Sequence, residues 1–370
     1  MKKIPFSKFT SYGNNFVIVD EVDSPIFNET EKGRFAHFAT NTYFGIGSDN
    51  FLVIQRCTKK VLESINQVRG YWDALPDLDG GADFIFRMFE PDGTEAFSCG
   101  NGLMCIANYL FKTHQLESIK IVTEIPTKNP ITIDIGTEST GQSSWANLGH
   151  PRKLTKDLFK CETAKLHGDI IFSIDNLEIG FRAHDLEPFS NQTQLSLKGY
   201  IVFTGEPHMV IFPEKDGVLS GFEEVIFAGS NYASALGKPA ERRVDFGIWL
   251  VDRIGLALNN TYKNMFPAGM SINFARPVSA PGEKGILEYR CFERGVYKET
   301  LACGTGAVAV SYISKRLHKI LPGENTILPY RCRLHEPEAR IIVHENETGD
   351  CRITGFPVML VNGEFHLNYS

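Results

Sequence analysis

The 370-residue sequence lacks the features of a membrane-spanning or nucleic-acid-binding protein. No stretch approaches the roughly 20 consecutive apolar residues that span a bilayer. Lysine and arginine number 38 against 44 acidic residues, and neither sign forms a block that could act as a nucleic-acid-binding arm. We therefore expect neither a membrane nor a nucleic acid as a partner.

Cys-x-x-Cys pairs are also absent, although the chain contains eight cysteines. A structural zinc site usually takes two ligands from one tight turn, so we expect no metal. The first 20 residues contain no continuous apolar segment and no small-residue cleavage site, which argues against a secretory signal. We expect a cytoplasmic protein with reduced thiols.

The composition, with 42% hydrophobic and 22% charged residues, is typical of a globular protein long enough for two domains. Short β-branched and aromatic runs predict a strand-rich α/β (α+β) fold with few helices. The predicted strands include residues 16–20, 51–55, 119–123, 200–203 and 209–212.

Two buried helices are predicted at residues 102–114 and 306–317, where apolar side chains recur at helical spacing. Segments 57–83 and 214–243 have mixed polarity and predict long loops or short helices at the surface. Residues 355–367 predict two strands joined by an Asn-Gly turn.

An internal repeat relates the two halves of the chain. FRMFEPDGTEAFSCGNG (86–102) and YRCFERGVYKETLACGTG (289–306) share aromatic-Arg-x-Phe-Glu, a turn, and Glu-x-x-x-Cys-Gly-x-Gly before a helix. A period of about 200 residues indicates duplicated domains and not a solenoid. We predict one domain at 1–141, completed by the C-terminal strands 352–370, and a second at 142–351, with the active site in the cleft between them.

The repeat places a cysteine, Cys99 or Cys303, at the start of each helix. The helix dipole and the free amides of the first turn favour a thiolate at that position. The following glycines leave room for backbone amides to bind a carboxylate. Two such sites facing each other could invert a carbon centre, because one thiolate removes a proton from one face and the opposite thiol protonates the other.

Other cysteine chemistry is less well supported. A papain-like nucleophile would need a matched histidine and asparagine, and the only histidine in a motif-like setting is His208. A dithiol redox pair would usually lie in a Cys-x-x-Cys frame. The remaining cysteines are expected to be small core residues: Cys57, Cys105, Cys161, Cys291, Cys332 and Cys351.

Five motifs lie in order along nearly the whole chain: Phe6-Ser-Lys-Phe-Thr-Ser-Tyr-Gly-Asn-Asn-Phe16, Gly45-Ile-Gly-Ser-Asp49, Asp92-Gly-Thr-Glu before Cys99-Gly-Asn-Gly102, Gly205-Glu-Pro-His208, and Glu293-Arg-Gly295 before Glu299-Thr-Leu-Ala-Cys-Gly-Thr-Gly306. Through these motifs the sequence resembles the diaminopimelate epimerases, cofactor-independent enzymes that use two cysteines.

The resemblance implies two similar domains, each a strand-rich barrel around a central helix. It further implies that Cys99 and Cys303 are the acid/base pair, that the amides after each cysteine, beginning at Gly100 and Gly304, hold the α-carboxylate, and that His208 lies beside the cysteines. It places further substrate contacts at Asn14, Asn50, Asn101, Asn273, Glu293, Arg294 and Thr305.

Two positions depart from the family pattern, because Glu90 and Glu206 stand where the family usually has asparagines that bind the distal end of diaminopimelate. Carboxylates there would repel a distal carboxylate by about 1 to several kcal/mol and favour a cationic group. Alternatively, both side chains turn away or pair with Arg87, Arg294 or Lys298.

The sequence therefore predicts an isomerase that inverts an amino-acid α-carbon without pyridoxal phosphate or any other cofactor. The default substrate is LL-/meso-diaminopimelate, in the pathway to lysine and cell-wall precursors. A racemase of lysine, ornithine, arginine or histidine is the alternative, and a non-catalytic duplicate-domain binding protein is a third hypothesis. The expected partner is a small amino acid, and a homodimer is left open.

Overall fold

The computed structural model describes residues 2–76, 81–182, 185–186, 193–213, 222–227, 241–279 and 285–367. The chain divides into two units, Met1–Gly149 with Asp350–Ser370, and His150–Gly349. The sequence analysis put the division after residue 141. Strand β8 (Ser144–Asn147) lies in the first unit because it pairs with β7 (Ile131–Thr137) and with β18 (Cys351–Gly355).

The first unit is strand-rich, as the sequence predicted. Its other strands are β1 (Lys2–Ser11), β2 (Asn14–Glu21), β3 (Asn50–Arg56), β4 (Phe84–Phe89), β5 (Glu95–Ala96), β6 (Ser118–Thr123) and β19 (Val358–Leu367). Its helices are α1 (Glu29–Thr40), α2 (Lys59–Arg69) and α3 (Gly100–His114).

The strands of this unit form a continuous ribbon. Antiparallel pairings join β19 to β1, β1 to β2, β3 to β4, and β6 to β7, whereas β2–β3 and β4–β6 are parallel. Strand β5 pairs with β4 as a short hairpin. Helix α3 contacts β1, β2, β7, β8, β18 and β19, so it is the central helix that the resemblance implies.

The second unit repeats this arrangement. Its strands are β9 (Lys165–His167), β10 (Ile171–Gly180), β11 (Gln194–Phe203), β12 (Pro207–Ile211), β13 (Ser271–Pro277), β14 (Ile286–Glu293), β15 (Lys298–Thr300), β16 (Glu324–Pro329) and β17 (Ile341–Glu345). Its helices are α4 (Phe222–Ile226), α5 (Glu241–Thr261), α6 (Gly304–Arg316) and α7 (Tyr330–Arg333).

The pairing pattern of the second unit matches that of the first strand for strand. Strands β11 to β17 pair as β1 to β7 do, including parallel β12–β13 and β14–β16 pairs and the short β14–β15 hairpin. Strands β9 and β10 extend the ribbon beyond β11. Helix α6 contacts β11, β12, β13, β14, β16 and β17, which makes it the central helix of this unit.

Burial on both faces explains the continuous apolar runs of the parallel strands. Val17 and Val19 of β2 pack in a cluster with Phe35 of α1, while Leu103 and Ile106 of α3 are fully buried within the same unit. Truncating such a buried side chain to alanine costs about 2–5 kcal/mol.

The predicted turn at Asn362–Gly363 is wrong. Residues 358–367 form one strand, β19, which pairs with β1 almost along its whole length. A Cβ at residue 363 would lie 2.9 Å from the Phe6 ring, so glycine here permits close cross-strand packing.

The predicted surface segments contain helices. Helix α2 lies within 57–83, and its Leu62 and Ile65 are buried in a cluster with Trp72. Within 214–243 the described part comprises residues 222–227, which include α4, and the first residues of α5, while the rest of that segment lies outside the described residues. No described helix is long and apolar enough to cross a membrane.

Candidate active site

Each repeated cysteine is the N-cap of its central helix. Cys99 precedes α3 and its sulfur accepts a hydrogen bond from the amide of Gly102 at 3.5 Å. Cys303 precedes α6 and accepts from Gly306 at 3.4 Å. The two caps have nearly the same extended backbone, with φ/ψ of −148°/114° and −127°/116°. The predicted placement of both cysteines at helix N-termini is confirmed, although each helix starts two residues earlier than predicted.

A buried ion pair supports each cap. In the first unit Arg87 donates to both carboxylate oxygens of Glu95, and in the second Arg290 donates to those of Glu299 at 2.6 and 2.7 Å. Both arginines are almost fully buried. Each glutamate lies four residues before its cysteine, so the pair fixes the hairpin that leads into the cap.

The sequence analysis did not predict these ion pairs, although the sequence contains a signal for them. The arginine and the glutamate are both invariant between the two copies of the repeat. A buried charge needs a partner of opposite sign, so two repeated charges beside apolar strand residues predict mutual pairing.

In the first unit, four of the predicted site residues form two side-chain hydrogen bonds. The Asn101 side chain donates to Oδ1 of Asn14 at 2.8 Å, and Asn50 donates to the Glu90 carboxylate at 2.9 Å. Gly100 is the first residue of α3 and is buried. These contacts fix Asn101, in the first turn after Cys99, against the start of β2.

In the second unit a chain of side chains leads from Asn273 to Cys303. The Asn273 amide donates to Nδ1 of His208 at 3.1 Å, so the proton of the neutral ring belongs on Nε2. That nitrogen lies 2.9 Å from the Thr305 hydroxyl, which lies 3.4 Å from the Cys303 sulfur. The structure thus places His208, Asn273 and Thr305 beside Cys303, with Gly304 opening the helix.

This environment favours the thiolate of Cys303. Its pKa is lowered well below the usual range, first by a hydrogen bond from the Cys291 thiol and then by hydrogen bonds from His208 and Thr305, while burial acts in the opposite direction. The Tyr289 hydroxyl accepts from the amide of Cys303 at 2.8 Å and donates to its carbonyl at 2.9 Å. Tyr289 therefore fixes the backbone of the cap.

The sequence analysis treated Cys291 as a core residue and did not single out Tyr289. Both are buried, but the Tyr289 hydroxyl bonds to the backbone of Cys303, and the Cys291 sulfur lies within 4.8 Å of the Cys303 sulfur. The signal for them was their place in the second copy of the repeat, where the first copy has Met88 and Phe86. Of the other presumed core cysteines, Cys105, Cys332 and Cys351 are buried, whereas Cys57 and Cys161 are partly exposed.

Glu206 forms an ion pair with Arg294, through both Nε and Nη2 of the guanidinium. Arg294 also donates to the carbonyl of Ala268 at 3.0 Å. Of the two expectations for Glu206, the pairing with Arg294 is the one that the structure shows. Glu293 in turn accepts a hydrogen bond from the Thr300 hydroxyl. The Glu206 carboxylate therefore does not add an uncompensated negative charge to the second unit.

One group of described side chains could hold a metal ion. The sulfurs of Cys291 and Cys303 and a carboxylate oxygen of Glu293 lie within 4.8 Å of one another. Thiolates and a carboxylate are ligands that Zn²⁺ accepts. A cation there would bind the Cys303 sulfur in place of a proton.

Comparisons with known proteins find similarity to diaminopimelate epimerases. The family model described as diaminopimelate epimerase matches residues 6–135. The diaminopimelate epimerase of Archaeoglobus fulgidus is 26% identical over 325 residues, covering 85% of this chain and 82% of the relative. That of Methanothrix thermoacetophila is 26% identical over 318 residues, covering 86% and 83%.

A solved structure shows the same fold. A hydroxyproline epimerase from Agrobacterium vitis, with bound trans-4-hydroxy-L-proline, has a TM-score of 0.55 at 12% identity, covering 98% of this chain and 92% of that one. The mixed α/β, two-domain epimerase fold expected from the sequence is therefore confirmed. The family-model match and the relatives support an isomerase of the amino-acid epimerase type, and the chain is similar to diaminopimelate epimerases.

Proposed function

We propose that the protein inverts the α-carbon of an amino acid, with Cys99 and Cys303 as its two acid/base groups and no cofactor. The observation that carries this proposal is the duplicated cap, in which each cysteine sulfur accepts an amide hydrogen bond at the start of a buried helix. Two merely structural cysteines would not need the same cap and the same supporting ion pair. That both act on one α-carbon stays a prediction of the repeat.

In the proposed reaction the amides of the first helical turns bind the α-carboxylate and stabilise the negative charge that develops on it. One thiolate takes the α-proton and becomes a thiol. The other cysteine gives its proton to the opposite face of the carbanion and becomes a thiolate. Protons balance within one turnover, and the enzyme is left with the proton on the other sulfur.

We propose diaminopimelate as the substrate, in keeping with the names of the relatives. The Glu206–Arg294 pair is compatible with it, because Arg294 neutralises the Glu206 carboxylate that would otherwise repel the distal carboxylate of diaminopimelate. A basic amino acid has only a cation at that end. The remaining support for the basic set is the Glu90 carboxylate, which accepts a hydrogen bond from Asn50.

The test compares kcat/KM for LL-diaminopimelate with that for L-lysine, L-ornithine, L-arginine and L-histidine. We expect turnover of diaminopimelate at least about 100-fold better than that of the basic set, since mismatched charges in a buried site cost several kcal/mol. Efficient racemisation of a basic amino acid with none of diaminopimelate would transfer the assignment to the second candidate. No turnover of any of the five would support a non-catalytic binding protein.

A double variant, Glu90→Asn with Glu206→Asn, examines the same pocket. It releases Arg294 from its carboxylate and removes two negative charges, so the preference for diaminopimelate over lysine should increase. Cys105→Ala, in the first unit but without a polar contact to either cap, is the matched control.

A further inference from the structure

Three side chains that can bind a metal ion lie together at the second capping cysteine. The sulfurs of Cys291 and Cys303 and a carboxylate oxygen of Glu293 are within 4.8 Å of one another. In a tetrahedral zinc site, with Zn–S bonds of about 2.3 Å and Zn–O bonds of about 2.1 Å, the ligand atoms lie about 3.6–3.8 Å apart. The three side chains therefore need to approach one another by about 1 Å or less to bind the ion.

The β14–β15 hairpin brings these three side chains together. Cys291 and Glu293 are two residues apart on β14, so their side chains lie on the same face of the strand. Cys291 pairs with Thr300 of β15, and the chain reaches Cys303 three residues later. A search of the sequence for two cysteines in one tight turn does not find such a set, because the ligands come from both sides of a hairpin.

Hydrogen bonds from neighbouring groups hold two of the three ligands. The Glu293 carboxylate accepts from the Thr300 hydroxyl, and a carboxylate has further lone pairs for a metal ion. The Cys303 sulfur accepts from the amide of Gly306 at 3.4 Å and lies 3.4 Å from the Thr305 hydroxyl. Metal ligands in proteins are usually oriented by outer hydrogen bonds of this kind. The cluster thus has both the ligands and the support of a metal site.

The chemistry of the ligands selects the ion. Two thiolates and a carboxylate suit Zn²⁺, whereas Mg²⁺ and Ca²⁺ prefer oxygen ligands alone. Among the described residues, the first unit has no comparable group. Its copy of the repeat has Met88 and Glu90 before Cys99, so an uncharged thioether stands where the second unit has a thiol. The ligand set is therefore a property of the second unit alone within the part of the chain that the structure describes.

We propose that Cys291, Glu293 and Cys303 bind Zn²⁺, and that the bound ion inhibits the enzyme reversibly. Three protein ligands leave the fourth position of a tetrahedral ion to water. Binding releases thiol protons to the solvent, and the ion then takes the place of the proton on the Cys303 sulfur. The inhibition rests on the proposed function, in which this sulfur is an acid/base group. The metal site itself does not.

The first test measures metal binding without catalysis. The full-length protein is reduced, freed of metal with EDTA, dialysed, and titrated with Co²⁺, whose thiolate complexes absorb in the near ultraviolet. Zn²⁺ is then added, and the loss of the Co²⁺ band gives the affinity for zinc. We expect one equivalent of bound metal in the wild type. The absence of any thiolate band would overturn the proposal.

Two substitutions remove one ligand each at nearly constant size. We expect the zinc affinity to fall at least about 100-fold in Cys291→Ser and about 10-fold or more in Glu293→Gln, with the Co²⁺ band of Cys291→Ser reduced to about half because one of two thiolates is lost. Cys291→Val replaces the serine variant if that variant does not fold, as judged by circular dichroism. A wild-type band and zinc affinity in the Cys291 variant would overturn the proposal.

Two further variants keep all three ligands and serve as controls. Cys332→Ala removes another buried cysteine of the second unit and should bind zinc as the wild type does. Cys99→Ala addresses the alternative that zinc bridges the two capping cysteines, and its zinc affinity should also equal that of the wild type. A loss in Cys99→Ala as large as that in Cys291→Ser would place the ion between the two caps and overturn the proposed ligand set.

The second test follows turnover of LL-diaminopimelate with increasing Zn²⁺. Inhibition of the wild type should match the zinc affinity from the displacement titration and be reversed by EDTA. Relative to its own activity without zinc, Cys291→Ser should need at least about 100-fold more zinc for the same inhibition. Equal sensitivity of the two proteins would overturn inhibition through this site. If the wild type turns over no amino acid, the proposed function fails, whereas the Co²⁺ and Zn²⁺ titrations still decide whether the metal site exists.

Discussion

The two units build the same scaffold around their cysteines but surround the sulfur with different side chains. Both have the strand order, the capped helix and the buried Arg–Glu pair. In the second copy, however, Tyr289, Cys291 and Thr305 stand where the first has Phe86, Met88 and Asn101. A phenol, a thiol and a hydroxyl thus replace a ring, a thioether and an amide.

This difference separates what the duplication preserves from what it leaves free to vary. The preserved parts hold the backbone, since a helix start and an ion pair determine where each sulfur lies. The variable parts change which groups lie beside each cysteine. In the proposed mechanism the two cysteines hold opposite protonation states in one turnover, and unlike surroundings would favour this.

The largest effect is expected from removing either sulfur. Cys99→Ala and Cys303→Ala should each lower epimerisation by about 10³-fold or more, because general acid–base catalysis contributes typically 10²–10⁴-fold for each group. Turnover is measured by the change in optical rotation of LL-diaminopimelate. Near wild-type activity in either variant, with Cys105→Ala as the reference, would exclude the two-base scheme. Exchange of the α-proton with retention in one variant would agree with it.

Removing the buried arginine of either ion pair should destabilise the protein by a similar amount. Arg87→Met and Arg290→Met each leave a buried glutamate without its main partner, which should lower the free energy of unfolding by about 3–5 kcal/mol. Urea denaturation measures this change. A loss below about 1 kcal/mol in one variant, with the expected loss in the other, would mean that only one unit depends on its pair.

Substitution of the glycine three residues after each capping cysteine should affect the two units differently. A Cβ at residue 306 would lie 2.6 Å from Oδ1 of Asn273, whose amide is held by His208 and by the carbonyl of Met209. At Gly102 the nearest atoms lie at 3.4 Å, an ordinary contact. Gly306→Ala should lower kcat/KM by about 10–100-fold through misplacement of the site. Gly102→Ala should lower it less, and the reverse order would contradict this description of the second unit.

The smallest effect is expected from making the second cap resemble the first. Tyr289→Phe removes the hydroxyl that bonds to both the amide and the carbonyl of Cys303. The Cys303 carbonyl keeps its bond from the Ala307 amide, so the variant leaves the buried Cys303 amide unsatisfied, which should cost about 1–3 kcal/mol of stability and lower kcat by less than about tenfold. Thermal unfolding with a single-turnover assay checks both values. A kcat loss as large as that of Cys303→Ala would place Tyr289 in the chemistry instead.

The repeat made the scaffold predictable from sequence. Glycine spacing and an apolar stripe located both caps, and the β-branched and aromatic runs located strands β2, β3, β6, β11 and β12, because these signals are local. The Asn362–Gly363 turn was wrong because the pairing partner of that segment, β1, lies at the other end of the chain. Long-range pairing overrode a strong local turn signal.

The charge and protonation of the site could not be predicted in the same way. Glu206 and Arg294 are far apart in sequence, and only folding brings them together. Cys291 belongs to a buried strand, and a single cysteine among apolar strand residues is usually a core residue. Its relation to Cys303 depends on the β14–β15 hairpin, which returns the chain to the cap.

Deuterium incorporation tests the central claim most directly. LL-diaminopimelate is incubated with the protein in deuterium oxide, and proton NMR follows the α-proton signal while chiral chromatography follows the stereoisomers. The two-cysteine account predicts loss of the α-proton signal together with formation of the meso isomer in the wild type, and no meso isomer in Cys99→Ala or Cys303→Ala. Formation of the meso isomer at the wild-type rate in either variant, or inversion with full retention of the original proton, would contradict it.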